Sequence, residues 1–158
     1  MININKFSMG ATAAIITSIS LIAGLNRGEH AKTSIIAGLL IIAIADNISD
    51  SLGIHIYKES ERACRKDINS STFGNFITRL LLVITFIGIV WFLPPRTAFI
   101  VSSFWGLFLL SILSYLIAKV RNTKPIKEII SHLLVALAVV IGSRFLGYLI
   151  WFSSIYCG

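Results

Sequence analysis

Residues 41–62 read IIAIADNISDSLGIHIYKESER. The segment opens as an apolar helix and then sets Asp46 and Asp50 one helical turn apart, in a stretch greasy enough to lie at membrane depth. A carboxylate inside a bilayer costs at least about 2.5 kcal/mol on the mildest scales, so such residues turn toward a bundle interior or an aqueous path. At about 100° per residue, Asp46, Asp50, Gly53, Tyr57 and Glu61 fall within one stripe of roughly 80°. Asn47 flanks that stripe, while His55 points the other way, one turn before Glu59. One face thus carries a column of oxygens: two carboxylates deep, a phenol near the surface and a third carboxylate at the mouth. Hard divalent cations take oxygen ligands, and Fe²⁺ and Mn²⁺ accept carboxylate readily. Gly53 removes a side chain from the stripe and leaves room for an ion or a second helix.

The rest of the chain supplies a membrane setting for that stripe. Of 158 residues, 56% are hydrophobic and 13% charged, whereas an ordinary soluble domain is about 25% charged. This composition predicts an all-α polytopic membrane protein with a single transmembrane domain. The net charge of +7 does not indicate nucleic-acid binding, because the basic residues sit at the ends of apolar runs, where they act as topology signals. Cys64 and Cys157 have no metal or redox spacing around them and read as free thiols. The apolar run after Lys6 exceeds the roughly 7–15 residues of a signal-peptide core, and no A-x-A site follows it, so it reads as a retained first span.

Five spans are expected, at about residues 7–25, 33–57, 74–93, 98–118 and 129–156, each long enough for the ~20 residues a bilayer requires. The third stops at Pro94-Pro95, which lack amide hydrogens, and Pro125 suits the start of the fifth. Residues 58–73 are read as a short cytoplasmic segment, with Arg79 snorkelling from the third span to the interface. With the N-terminus inside, ten Lys and Arg fall on the cytoplasmic side and three (Arg27, Lys32 and Arg96) on the other. That bias predicts an N-in, C-out topology. Trp91, Phe92, Trp151, Phe152 and Tyr156 then form an aromatic belt at the outer interface.

Two readings of the paired aspartates compete. They bind a cation, or they only pair with a basic residue; Arg144, placed within the fifth span, is the candidate partner. One arginine cannot neutralise two aspartates, so a proton or a cation still has to. Close carboxylates hold a shared proton tightly, as a proton-coupled exchanger needs. Small residues also recur at four-residue spacing: Gly10, Ala14 and Ser18 on the first span, and Ala138 with Gly142 and Ser143 with Gly147 on the fifth. They let helices approach closely, either within one chain or at a dimer seam or pore lined by the first span.

At these residues the chain resembles the vacuolar iron transporter family of Fe²⁺/Mn²⁺ carriers. Ala45-Asp46-x-x-Ser49-x-x-Leu52-Gly53, followed by Ser60-Glu61-Arg62, is similar to the family's second-span signature, A-D-G-x-S-M-A-x-G-E-Y-x-S-x-x-S-E. Ala23-Gly24-Leu25 is similar to the family's A-G-L at the end of span one. The likeness covers the first sixty residues, and beyond them only the layout. It implies a five-span dimer with an ion path on the two-fold axis. Departures accompany it. The family's acidic residue in span one falls at Ala13-Ala14, its methionine at Asp50, and its glutamate after the glycine at Ile54. Its long cytoplasmic helical insert shrinks to residues 58–73.

The expectation is therefore a non-enzymatic carrier in a prokaryotic inner membrane, a homodimer moving a divalent cation such as Fe²⁺ or Mn²⁺ against protons, with no resident cofactor. Asp46, Asp50 and Glu61 would bind metal, Asn47, Gly53 and Tyr57 would line the path, and Arg144 would be the charge partner. The alternative is a non-transporting membrane module or assembly subunit whose Asp–Arg pair holds the bundle together. No Ser/His, Cys/His or metal-protease arrangement points to an enzyme.

Overall fold

The computed structural model describes residues 8–156, with side chains through residue 153. Lys6, Phe7, Cys157 and the side chain of Tyr156 lie outside the described residues. Five helices make up the fold: α1 (Ser8–Leu25), α2 (Ala31–Ser60), α3 (Arg65–Phe92), α4 (Pro95–Val120) and α5 (Pro125–Tyr156). There is no strand among the described residues. All five are long and apolar enough to cross a membrane, so the chain is an all-α polytopic membrane protein.

The connections are tight and have local causes. Gly28 takes φ 88° between α1 and α2, and Arg62 and Asn122 take φ 55° and 53° at the two turns on the opposite end. Pro94 and Pro95 separate α3 from α4, with Pro95 as the first residue of α4, where a missing amide costs nothing. Residues 58–73 hold the end of α2, a tight turn and the first turns of α3. α2 runs on to Ser60, the chain turns within four residues, and α3 already begins at Arg65. This nine-residue extension of α3 shifts the depth of everything on it.

α1 is the central helix and packs on all four others; around it α2 pairs with α3, α3 with α4, and α4 with α5. Ala14, Ile15, Ile19 and Ile22 of α1 meet Ile35 and Leu39 of α2, Val83, Phe86 and Val90 of α3, and Leu110 of α4 in one apolar core. Small residues permit the close approach. A side chain at Gly106 would overlap Ile19, and one at Gly147 would overlap the Gly24 carbonyl. Gly10, Ala14 and Ser18 are buried inside the chain, so that stripe is intrachain packing, as are Ser143 and Gly147 against Gly24. Ala138 and Gly142 face outward.

α2 is buried along Ala31, Ile35, Leu39, Ala43, Asn47 and Ser51, an unbroken four-residue spacing. A regular α-helix drifts by about 40° over each such interval, so this seam would wind off its neighbours. The wide π-type turns at Ile42–Asp46 absorb part of that drift. They end at the first aspartate and so set the angle at which Asp46 leaves the helix.

Candidate functional site: an arginine clasping two aspartates

Arg79 on α3 is the cation that meets the acidic pair. Its Nη1 donates to Asp50 Oδ2 at 2.7 Å, and its Nη2 donates to Asp46 Oδ2. The arginine side chain is 2% exposed, whereas Asp46 and Asp50 are 49% and 40% exposed. The guanidinium therefore comes from inside the bundle, and the carboxylates lie over it on the open face of α2. Asn75, one turn before Arg79, donates to Asp50 Oδ2 at 3.4 Å and to Ser51 Oγ at 3.3 Å. Gly10 of α1 makes room for this amide, since a side chain there would overlap it.

The snorkelling expected of Arg79 does not occur, for a reason of length. With α3 starting at Arg65, Arg79 lies about 20 Å from either helix end, at 1.5 Å per residue. It continues the buried seam Ile68, Ser71, Asn75, Arg79, Val83, Phe86 and Val90. That three-and-four spacing is visible in the sequence, but it reads as a core seam only once the helix is known to begin before residue 74. Asn75 joins the site through the same seam and Ser51 through the buried seam of α2, and neither was among the expected site residues.

Arg144 is not the charge partner. Its guanidinium stacks over the Phe99 ring at 4.6 Å, near the start of α4 and at the opposite end of the bundle from the α2–α3 turn. It lies about 28 Å along α5 from Pro125, close to the full ~30 Å of a hydrocarbon core.

The remaining expected residues divide. Asn47 is fully buried and turns toward α3, donating to the Phe76 carbonyl at 2.9 Å, so it belongs to the helix contact rather than the acidic stripe. Gly53 has open space around it and stays on the exposed face. Tyr57 donates its hydroxyl hydrogen to Glu61 Oε1 at 2.6 Å. Glu61 lies about 16 Å beyond Asp50 along the helix. The three expected metal carboxylates thus do not converge, and among the described residues no group of three or more His, Cys, Asp or Glu is placed to hold a metal. His55 Nδ1 sits 3.4 Å from Thr72 Oγ1, and His132 Nδ1 sits 2.8 Å from Ser114 Oγ, both as helix-packing contacts.

Two carboxylates and one guanidinium leave the cluster with one net negative charge. Asn47 Oδ1, Asn75 Oδ1, Arg79 Nε and Ser71 Oγ are also buried without a hydrogen-bond partner. Such groups are costly in a dry interior, so this half of the α2–α3 seam is polar well beyond what packing requires. The geometry defines a class: a five-helix membrane bundle with an arginine-clasped acid pair on an exposed helix face. No family model, curated protein or solved structure matches the chain.

Proposed function

We propose that the protein carries cations across a membrane, with Asp46 and Asp50 as the exchange site and Arg79 as its built-in counter-ion. The observation that carries this reading is the unequal exposure of the cluster. The arginine is sealed inside while both carboxylates stay open and together hold one charge more than it can cancel. A proton or a metal cation would supply the missing charge, and an arriving cation would compete with the guanidinium for the same oxygens. A purely structural pair in a membrane has no use for the second carboxylate.

The finer parts of the reading rest on the second-helix signature and on charge. The resemblance to vacuolar iron transporters favours Fe²⁺ or Mn²⁺ as substrate and protons as the exchanged ion. It also favours a homodimer, in which two clusters facing each other would hold the charge of one divalent cation. Thr17 on α1 and the face of α2 around Asp46 are exposed and suit such a contact. With Arg79 assigned to the core and Arg144 to the opposite end, nine basic residues stand against four. That bias favours an N-in orientation, as in a prokaryotic inner membrane. Glu61, hydrogen-bonded to Tyr57, would gather cations at the cytoplasmic mouth.

The test is Mn²⁺ and Fe²⁺ uptake into liposomes containing the purified protein, under an imposed pH gradient. Asp46→Asn and Asp50→Asn should each reduce uptake at least tenfold; undiminished uptake in both removes the site assignment.

Burial of Arg79 favours a second reading, a non-transporting module in which the cluster only joins α2 to α3. In that case neutralising the aspartates lowers thermal stability, and excess Mn²⁺ does not raise it. A carrier that binds Mn²⁺ in its folded form must gain stability from it.

A further inference from the structure

The opposite end of the bundle holds an open cavity of about 1140 Å³ between the α1–α2 loop, the start of α4 and the last turns of α5. Arg27, Arg96 and Arg144 line it, with no aspartate or glutamate among the lining residues. Glu29, which follows Gly28 in the α1–α2 loop, is exposed, and among the described residues no ion pair joins a carboxylate to these three guanidiniums. Two are held by aromatic faces instead. Arg27 lies over Tyr148 at 5.1 Å and Trp151 at 5.8 Å, and Arg144 lies over Phe99 at 4.6 Å. Cation–π contact orients a guanidinium without cancelling its charge. The start of α4 adds to the field: Arg96 and Thr97 lie in its first turn, where backbone amides have no intrahelical acceptor and the helix dipole is positive.

From this we infer an anion site for a phosphate group in the Arg27–Arg96–Arg144 cavity. Three guanidiniums lining one space repel one another unless something negative sits between them. Arginine forks match the oxygens of phosphate in pairs. The volume exceeds what a bare phosphate fills, and the cavity opens near the expected membrane interface. Either a lipid phosphodiester or a free phosphate therefore fits the chemistry. The site lies at the end of the bundle where α1 meets α2 and α3 meets α4, about half a helix length from the mid-helix Asp46–Asp50–Arg79 cluster, and does not depend on the transport reading.

The experiment uses the full chain, purified in uncharged detergent at fixed ionic strength in chloride. One arm titrates inorganic phosphate against chloride. The other compares nanodiscs of phosphatidylglycerol, whose phosphodiester carries a net negative charge, with nanodiscs of phosphatidylcholine, whose phosphodiester is neutralised by its own choline cation. The readout is the thermal midpoint. A ligand at a hundredfold excess over its Kd should raise it by about 5 °C. A rise with phosphate identifies a free anion, and a rise with phosphatidylglycerol alone identifies a headgroup. Combined replacement Arg27→Gln, Arg96→Gln and Arg144→Gln should remove at least half of the rise, while the corresponding Lys replacements keep most of it. Should the triple Gln variant not fold, Arg96→Gln alone, which breaks no ring contact, should reduce the response. No rise in either arm, or an equal rise in wild type and a folded Gln variant, overturns the site.

Discussion

Arg79 is the residue on which the acidic pair depends. Arg79→Gln would leave two carboxylates sharing one turn with no cation between them. Removing one partner of a buried pair costs about 3–5 kcal/mol; the open side of Asp46 and Asp50 puts the expected loss near the lower end. Denaturant or thermal unfolding in detergent would measure it, and an unchanged midpoint would refute the charge assignment. Adding Asp46→Asn and Asp50→Asn to the same protein should restore at least half the loss, because the repulsion disappears with the charges. The placing of both acids on one face was legible in the sequence from their one-turn spacing; their direction was not, since the structure sets them on the open face of α2, 49% and 40% exposed, rather than toward the bundle interior. Nor was their partner. Arg79 and Arg144 both lie in apolar stretches, and which one is deep depends on where each helix starts.

At the scale of elements, the small residues divide by what their neighbours can do. Gly147 faces the Gly24 carbonyl, which is backbone and cannot rotate away. Gly147→Ala should therefore push α5 off α1 and cost about 1–3 kcal/mol. Gly106 faces the tip of Ile19, a flexible side chain, so Gly106→Ala should cost less than Gly147→Ala. Gly53 meets nothing within 4 Å; Gly53→Ala should stabilise the helix by up to about 1 kcal/mol through propensity alone. Ranking the three variants by thermal midpoint checks the helix arrangement directly, and a Gly147→Ala variant as stable as wild type would contradict it. The recurrence of small residues was legible in the sequence. Which of them seat a neighbour and which face outward was not, because residues such as Ser143 and Gly142 lie side by side yet point to different faces.

For the whole molecule, orientation is the testable property. Cys64 is an exposed free thiol in the turn between α2 and α3, among Lys58, Arg62, Arg65 and Lys66. If the basic end faces the cytoplasm, then in a Cys157→Ser background a membrane-impermeant maleimide should label Cys64 in inverted vesicles and not in intact cells. Labelling of intact cells would reverse the topology, and with it the side assigned to Glu61 and to the arginine cavity. The two ends also differ in how their charge is used. One end has basic residues interspersed with Glu59, Glu61 and Asp67, while the charged residues lining the cavity at the other are all arginines.

Composition and local pattern sufficed for the five apolar helices, their prolines and turns, and the placing of two acids on one face of α2. These are properties of consecutive residues, and bilayer thickness and helical periodicity act on them directly. Only the packed bundle decided that Arg79 rather than Arg144 answers those acids, that Asn47 belongs to a helix seam, and that three distant arginines share one cavity. Each of these outcomes depends on the depth and rotation of one helix against another, which steric fit between non-local side chains sets and no stretch of sequence encodes alone.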